Sequence, residues 1–317
     1  MIGTELPLYH IFINMIQFVL LILVSPLITG IMRKIKARTQ KRIGFSVFQP
    51  YYDILKLLRK DEVITEQSSW IFRLSPWIIF SSTIAIALFI PVFVSNSSFT
   101  IGDDIILIIG LFAMSRFFLM LAGLDVASAF GGIGVSREMM VSALIEPALF
   151  LTIFTIAVTF GGTSIGLIVS NATESPVFMS PSLLFALIGF FIIIMAETGK
   201  MPFDNPATHL ELTMVHEAMI LEYSGKNLAL IELSQSIKQL ILMTVLVNVF
   251  LPWGLSTSFS IFEMLTGLLV FLVKIISLSV VIAFIESRVA KWRLFRIPDL
   301  ISLSIAVSML SVIFLYI

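Results

Sequence analysis

The chain has 317 residues, of which 58% are hydrophobic and only 13% charged, and its formal net charge is zero. A soluble domain carries roughly twice that charged fraction, and without a net positive charge no nucleic-acid partner is expected. There is no cysteine, so the chain itself holds no disulfide and no thiolate-ligated iron–sulfur or nickel–iron centre.

A membrane-spanning helix needs about 20 mostly apolar residues. Eight such stretches follow one another, over residues 9–32, 76–94, 105–124, 139–161, 181–196, 228–251, 264–285 and 300–317. They predict an all-α integral membrane protein, a bundle of eight transmembrane helices with amphipathic helices in its cytoplasmic loops, forming one domain over 1–317. The first run is too long for a signal-peptide core, lacks a basic segment before it and leads straight into Arg33, so it reads as a retained helix.

The charges between the spans set an orientation. Of the 20 Lys and Arg residues, ten lie in 33–73, and Arg137, Lys200, Lys226, Arg288, Lys291, Arg293 and Arg296 lie in the other odd-numbered loops. The even-numbered loops and both tails hold none, and Arg116, Lys238 and Lys274 fall inside spans. The positive-inside rule then puts the odd loops in the cytoplasm and both termini outside. The outward loops 95–104, 162–180 and 252–263 read as short and ordinary, with nothing that suggests an extracellular binding domain.

In the first cytoplasmic loop Arg38, Gln40 and Arg42 precede Gln49, Pro50, Asp53 and Lys56. Pro50 suits a first helical turn. After it, Tyr51, Ile54, Leu55 and Leu58 fall on one face and Asp53, Lys56 and Lys60 on another. This predicts an amphipathic helix at the membrane surface or under a partner; the competing reading is a basic loop that only sets topology. The second loop, Phe130-Gly-Gly-Ile-Gly-Val-Ser136-Arg-Glu138, follows a helix rather than a strand. It is therefore read as a tight turn with Ser136 capping the next helix, not as a phosphate cradle. Inside the spans, Glu146 is a natural partner for Arg116, because ionisable groups at membrane depth face the bundle or water.

The third loop carries the densest chemistry: Glu197, Lys200, Asp204, Thr208, His209, Glu211, His216, Glu217 and Glu222-Tyr-Ser-Gly225. Thr208 with Glu211 makes a capping box, which predicts a helix over about 206–222. Crowded carboxylates in a low dielectric hold protons more tightly and so suit a proton path; a solvated acidic loop is the rival reading. His216-Glu217 begins a zinc-protease motif, but Ile220 stands where the second histidine would be. Glu232, Gln235, Lys238 and Gln239 then form a polar stripe on the sixth span, and Lys274 is deep in the seventh with Glu263 nearby. The candidate proton-path residues are Glu138, Glu146, Glu197, Asp204, Glu211, Glu217, Glu222, Glu232, Arg116, Lys238 and Lys274, with structural ion pairs as the alternative for each.

The first-loop pattern, the Ser136-Arg-Glu turn and the stretch from Ala196-Glu-Thr through Pro202-Phe-Asp204 to Glu222-Tyr-Ser-Gly225 resemble the NuoH-type subunit of respiratory complex I over nearly the whole chain. Gly123-Leu-Asp125, the glycine-rich loop and Glu146-Pro147 are similar to the HycD- and HyfC-type membrane subunits of group 4 nickel–iron hydrogenases, such as formate hydrogenlyase and energy-converting hydrogenase. After Pro202-Phe-Asp204, quinone-reducing relatives carry extra carboxylates where this chain has Asn205-Pro-Ala-Thr-His209, and Phe45 replaces a proline after Gly44.

The resemblance implies a membrane anchor that couples electron transfer to proton or sodium translocation, in a bacterial or archaeal cytoplasmic membrane. It implies large and small hydrogenase (NuoD- and NuoB-like) subunits and a ferredoxin-like subunit as the carriers of the nickel–iron centre and iron–sulfur clusters, with antiporter-like subunits beside this chain. No cofactor is expected in the chain itself. A quinone-chamber subunit and a passive scaffold are the alternative functions.

Overall fold

The computed structural model describes residues 6–94, 103–174, 180–204, 214–256, 260–290, 292 and 296–316. In chain order its helices are α1 (Leu6–Thr39), α2 (Gln49–Leu58), α3 (Trp70–Phe89), α4 (Ile105–Asp125), α5 (Ala129–Phe160), α6 (Ile165–Glu174), α7 (Pro181–Glu197), α8 (His216–Ile220), α9 (Gly225–Phe250), α10 (Ile261–Arg288) and α11 (Ile297–Tyr316). Among the described residues there is no strand, only two isolated bridges. Seven helices, α1, α3, α4, α5, α9, α10 and α11, are long and apolar enough to cross a bilayer; α7, with 17 residues, is the shorter eighth. At 1.5 Å per residue it rises about 26 Å, close to the thickness of a hydrocarbon core. The chain is an all-α, multi-pass membrane protein.

Local chemistry sets the helix starts. Ser69, Asp104, Ser128 and Ser180 each accept a hydrogen bond from a first-turn N–H of α3, α4, α5 and α7, satisfying donors that have no partner within the helix. α3 begins earlier than the sequence suggests, takes Pro76 into its interior and stops at Phe89. The next residues run non-helically through a buried region. The amides of Val92, Phe93 and Val94 all donate to Gln17 Oε1, at 2.7, 3.0 and 3.2 Å. Asn248 Nδ2 donates to the carbonyls of Pro91 and Val92 at 2.8 and 3.1 Å. Irregular backbone survives in an apolar bundle only with such partners.

α9 is the central helix. Two thirds of its apolar window (67%) is buried, against 28% for α11 and 33% for α10. It packs against α1, α3 and α7, while α11 closes the far side on α5 and α7. The loop after α5 contains a helix, α6, that the sequence reading did not assign. That helix is tied to the start of α4 by Ser164 Oγ on Asp103 Oδ2 (2.5 Å) and by the Ile165 amide on the Asp103 carbonyl (2.9 Å).

Two loop expectations are corrected. Residues 130–136 are not a turn but the first turns of α5. Ser128 is the cap, the chain reverses through Ala127 at φ 53°, and Ser136 Oγ merely donates to the Ile133 carbonyl. Packing decides this. A Cβ on Gly134 would lie 2.9 Å from the Ala218 Cβ and 3.0 Å from the Val215 carbonyl oxygen, so glycine allows α5 to touch the α8 region, and that contact offsets a low helix propensity. In the third basic loop, the described part of the helix expected over 206–222 is helical only as α8, and Glu222 sits exposed in the turn after it. Glu211 and His209 lie outside the described residues.

The Glu222-Tyr-Ser-Gly225 motif joins two basic loops. Tyr223 Oη donates to the Phe72 carbonyl at 2.9 Å, and its ring stacks on Phe72 at 4.0 Å. Ser224 Oγ accepts from the Val63 amide (2.8 Å) and donates to its carbonyl (3.0 Å). Burial pushes the Tyr223 phenol up, so it stays a donor.

Candidate functional site

Four helices bring charge to one point inside the bundle. Arg116, in the middle of α4 and only 6% exposed, faces three carboxylates. Glu138 of α5 lies 3.9 Å from Nε, Glu146 of α5 lies 3.1 Å from Nη1, and Glu197 at the end of α7 is in direct contact with Nη2. Lys238 of α9 completes the group, with Nζ 2.6 Å from the other oxygen of Glu197 and 5.7 Å from the centre of the Phe112 ring. The arrangement alternates in sign. Mutual repulsion, expected from the carboxylates alone, is replaced by attraction across a few ångströms of low dielectric. Glu197 is the hub, 4% exposed and paired through both oxygens.

Glu146 differs. Its side chain is 43% exposed, and its neighbours Ala143, Pro147 and Phe150 are on the outer surface of α5. The cluster therefore opens sideways, at membrane depth, on the α4–α5 face.

Towards the basic end the cluster adjoins a cavity of about 440 Å³. Its wall is built by Arg33 and Lys36 of α1, Pro50 and Ile54 of α2, Glu197, Lys200, Asp204, His216, Glu217, Glu286 of α10 and the Glu232, Gln235, Lys238 and Gln239 stripe of α9. Lys36 pairs with Glu286 at 2.7 Å and clamps α1 to α10. Burial pushes the Lys200 ammonium down, with nearby Glu286 opposing the shift. Burial also pushes the His216 imidazole down, against the opposing charges of Glu138 and Asp204, so the ring is neutral at neutral pH.

The sequence-predicted residues, Glu211 apart, take five different places. Arg116, Glu138, Glu146, Glu197 and Lys238 form the cluster, and Glu217 and Glu232 join its cavity. Asp204, 4% exposed, accepts from the amides of Val215 (3.2 Å) and His216 (3.0 Å) and so holds the start of α8. Glu222 is exposed and outside the cavity wall. Lys274 is remote from the cluster. Its ammonium donates to the carbonyls of Leu251 and Trp253 beyond the end of α9, where a cation meets the negative end of the helix dipole.

In the first loop, Arg38, Gln40 and Arg42 are at or past the end of α1, with Gln40 and Arg42 exposed. Gln49 Nε2 donates to Asp53 Oδ1 at 2.8 Å inside α2. The bundle takes Pro50, Ile54 and Leu57 of α2; Tyr52, Leu55, Lys56 and Leu58 stay exposed, beside Ile43, Phe45 and Phe48. The exposed strip mixes apolar and cationic side chains, and the face buried against the bundle differs from the one predicted by including Leu57 and omitting Leu55 and Leu58. Among the described residues no three His, Asp or Glu side chains converge as a metal-ligand set; the three carboxylates converge on a guanidinium.

Sequence reasoning did not assign Lys36, Glu286, Lys200 or Arg33 to the site, and it set His216 aside. Lys36 and Glu286 are 250 positions apart, so no local pattern links them. No sequence pattern marks His216 either; the hold of Asp204 on the start of α8 places it on the cavity wall.

The family model described as NADH dehydrogenase matches residues 11–316 of the chain. The chain belongs to that family. Within it, the chain is 36% identical to hydrogenase-4 component C of Escherichia coli (strain K12), covering 96% of each protein. It is also 36% identical to formate hydrogenlyase subunit 4 of the same organism, over 88% of this chain and 90% of that one. An NADH-quinone oxidoreductase subunit from Wolbachia pipientis wMel is more distant, 25% identical over 82% of each chain. The fold is shared with a chain of the membrane-bound sulfane sulfur reductase, an archaeal respiratory membrane complex, with a TM-score of 0.83, 24% identity and coverage of 96% and 99%. These relatives belong to multisubunit membrane complexes, which supports membership of such a complex for this family member too.

Proposed function

We propose that the chain is the membrane-anchor and ion-coupling subunit of a group 4 nickel–iron hydrogenase-type complex, linking electron transfer in soluble partners to proton or sodium translocation. The observation that carries this is the Arg116 cluster, which joins a polar cavity at the basic end to a half-exposed carboxylate on the lateral face. Buried ion pairs contribute little net stability. A cluster that reaches both a cavity and the outer wall therefore has a transport rationale that a scaffold lacks. An open carboxylate against lipid is expensive, so Glu146 is covered by a neighbouring membrane subunit, of the antiporter-like kind, to which charge movement passes on.

The basic end faces the cytoplasm of a bacterial or archaeal cell, and the exposed strip of α2 with Arg38, Gln40, Arg42 and Lys56 receives the large and small hydrogenase-like subunits. The nickel–iron and iron–sulfur centres are held by these and by a ferredoxin-like subunit. The quinone-chamber alternative draws on the position of the cavity beside α2, but its wall carries Arg33, Lys36, Lys200, Glu217, Glu232 and Glu286. The same wall carries Met32, Ile54, Ile220, Leu221 and Leu228, so it is the six charged groups, not the lining as a whole, that favour water and ions over a prenylated ring.

The function is tested with Glu146→Gln and Glu197→Gln in the assembled complex reconstituted in liposomes. Both variants are expected to keep hydrogen-dependent dye reduction and to lose most ion translocation per electron. Normal translocation by both overturns the coupling reading in favour of a scaffold. Orientation is checked separately: cysteines placed at Lys60, Lys226 and Lys291 are expected to react with an impermeant maleimide only from the cytoplasmic side. Outside labelling of Lys60 reverses the topology.

A further inference from the structure

Glu197 and Lys238 belong both to the Arg116 cluster and to the cavity wall, and beside them on that wall is one titratable side chain that takes part in no ion pair of the cluster. His216 opens α8 and lines the cavity. Its backbone is fixed, because its own amide and that of Val215 are both held by Asp204. The α5 chain presses on the same spot, through Gly134 against Val215 and Ala218, and Arg137 Nη1 donates to the Met214 carbonyl at 2.9 Å. The backbone that carries the ring is thus held by two elements, the segment after α7 and α5.

The ring nitrogen Nε2 is in contact with the side-chain amide of Gln235 on α9. Gln235 stands three residues before Lys238, so the two share a helical face, and Lys238 is bonded to Glu197. The charged groups whose fields reach the ring are Glu138 of α5, Lys238 of α9, Asp204 after α7 and Arg116 of α4. Burial is the main influence on the imidazole and disfavours its charged form, while the two acids and the two cations act on it in opposite directions.

A neutral imidazole has one donor and one acceptor nitrogen, and a primary amide has both functions on one rotatable group. With its NH2 towards the ring, Gln235 donates to a bare Nε2 and the ring proton is on Nδ1. Turned by half a rotation, its carbonyl accepts from Nε2–H. Either tautomer, and the imidazolium between them, is served by the same residue.

We propose that His216 is the proton hand-off between the cavity and the Arg116 cluster, with Gln235 following its tautomer. The proposal rests on the ion-coupling reading above. A proton from cavity water binds the bare ring nitrogen; the proton on the other nitrogen leaves towards the carboxylate of Glu138, and rotation of the ring and of the Gln235 amide resets the pair. One proton enters and one departs, with no net change of charge on the histidine. Asp204 acts here as a positioning residue that holds the histidine backbone.

The test uses the assembled complex in liposomes, read by quenching of an acridine dye per electron transferred. His216→Gln keeps a polar contact with Gln235 but carries no titrating group, and His216→Ala leaves space for added imidazole. Both are expected to retain subunit content and dye reduction and to lose at least about tenfold in proton translocation at neutral pH, a modest share of what a positioned acid–base group supplies. Imidazole is expected to restore the alanine variant and not the glutamine variant. Normal translocation by His216→Gln, or an alanine defect that imidazole leaves unchanged, overturns the proposal. Should neither variant assemble, Gln235→Leu, which keeps His216, carries the test: reduced translocation with full subunit content supports the hand-off, and unchanged translocation overturns it. Normal translocation in the His216 variants alongside a defect in Glu146→Gln sinks the hand-off alone, whereas normal translocation in all of them sinks the coupling function itself.

Discussion

Arg116→Leu is expected to prevent stable folding of the bundle, not merely to impair its activity. The side chain is 6% exposed and holds Glu138, Glu146 and Glu197 around one guanidinium. Leucine fills much of the space but leaves three carboxylates with Lys238 as the remaining cation of the cluster. Removing one partner of a buried ion pair costs about 3–5 kcal/mol, against a typical total stability of ~5–15 kcal/mol. Lysine restores a charge but not the planar fork that reaches several carboxylates together, so Arg116→Lys is expected to fall between leucine and the native chain. Thermal melting in detergent, followed by size-exclusion elution, measures the order. Adding Glu138→Gln to Arg116→Leu removes a carboxylate that has lost its cation, whereas Glu197 keeps Lys238, and the double variant is expected to recover part of the loss. A double variant whose loss equals the sum of the two single losses would show that the pair is not coupled.

Gly30→Val is expected to release the first basic loop. Gly30 lies inside α1, and a Cβ there would stand 1.9 Å from the Val47 carbonyl oxygen and 3.3 Å from Pro50 Cδ. The obstacle is backbone, so no side-chain rotation relieves it, and the chain before α2 must lift. Pro50 and Ile54 would then leave the cavity wall, and the exposed strip of α2 would lose its fixed position. Limited trypsin digestion is expected to cut this loop several-fold faster, and partner subunits to co-purify in reduced amount. Gly110→Ala is the control. A Cβ at that helical position meets nothing within 4 Å, and alanine favours helix over glycine by about 1 kcal/mol, so the variant should melt no lower than the native chain. Unchanged digestion of Gly30→Val would mean that the loop is not seated on α1.

The candidate site was legible in part. The pairing of Arg116 with Glu146 follows from the high cost of a lone charge in hydrocarbon: two opposite charges on adjacent spans must find each other or water. The same cost puts Glu232, Gln235, Lys238 and Gln239 on an inward face, and they line the cavity. Lys274 escapes it by a different route, satisfying its charge on two backbone carbonyls beyond the end of a helix. A carbonyl acceptor exists at every residue and leaves no mark in the sequence. Asp204 shows the converse. Its carboxylate looked available for proton transfer, yet it holds two amides, and only the path of the loop reveals this.

By itself the sequence determined the eight spans, their order and the apolar character of the bundle. Each span depends on the transfer of about 20 consecutive residues into hydrocarbon, and the cost or gain of that transfer is local. Caps were less legible: the sequence predicts Ser136 as the cap of α5, and Ser128 takes that place. The tertiary structure alone decided that residues 130–136 are helix, that Lys36 meets Glu286, and that His216 lies against Gln235. These depend on distances between segments far apart in the chain. Gly134 has low intrinsic helix propensity, and what makes it helical is the backbone of residue 215 at its surface. A propensity of about 1 kcal/mol is readable in one segment; the contact that overrules it exists only when two segments are packed together.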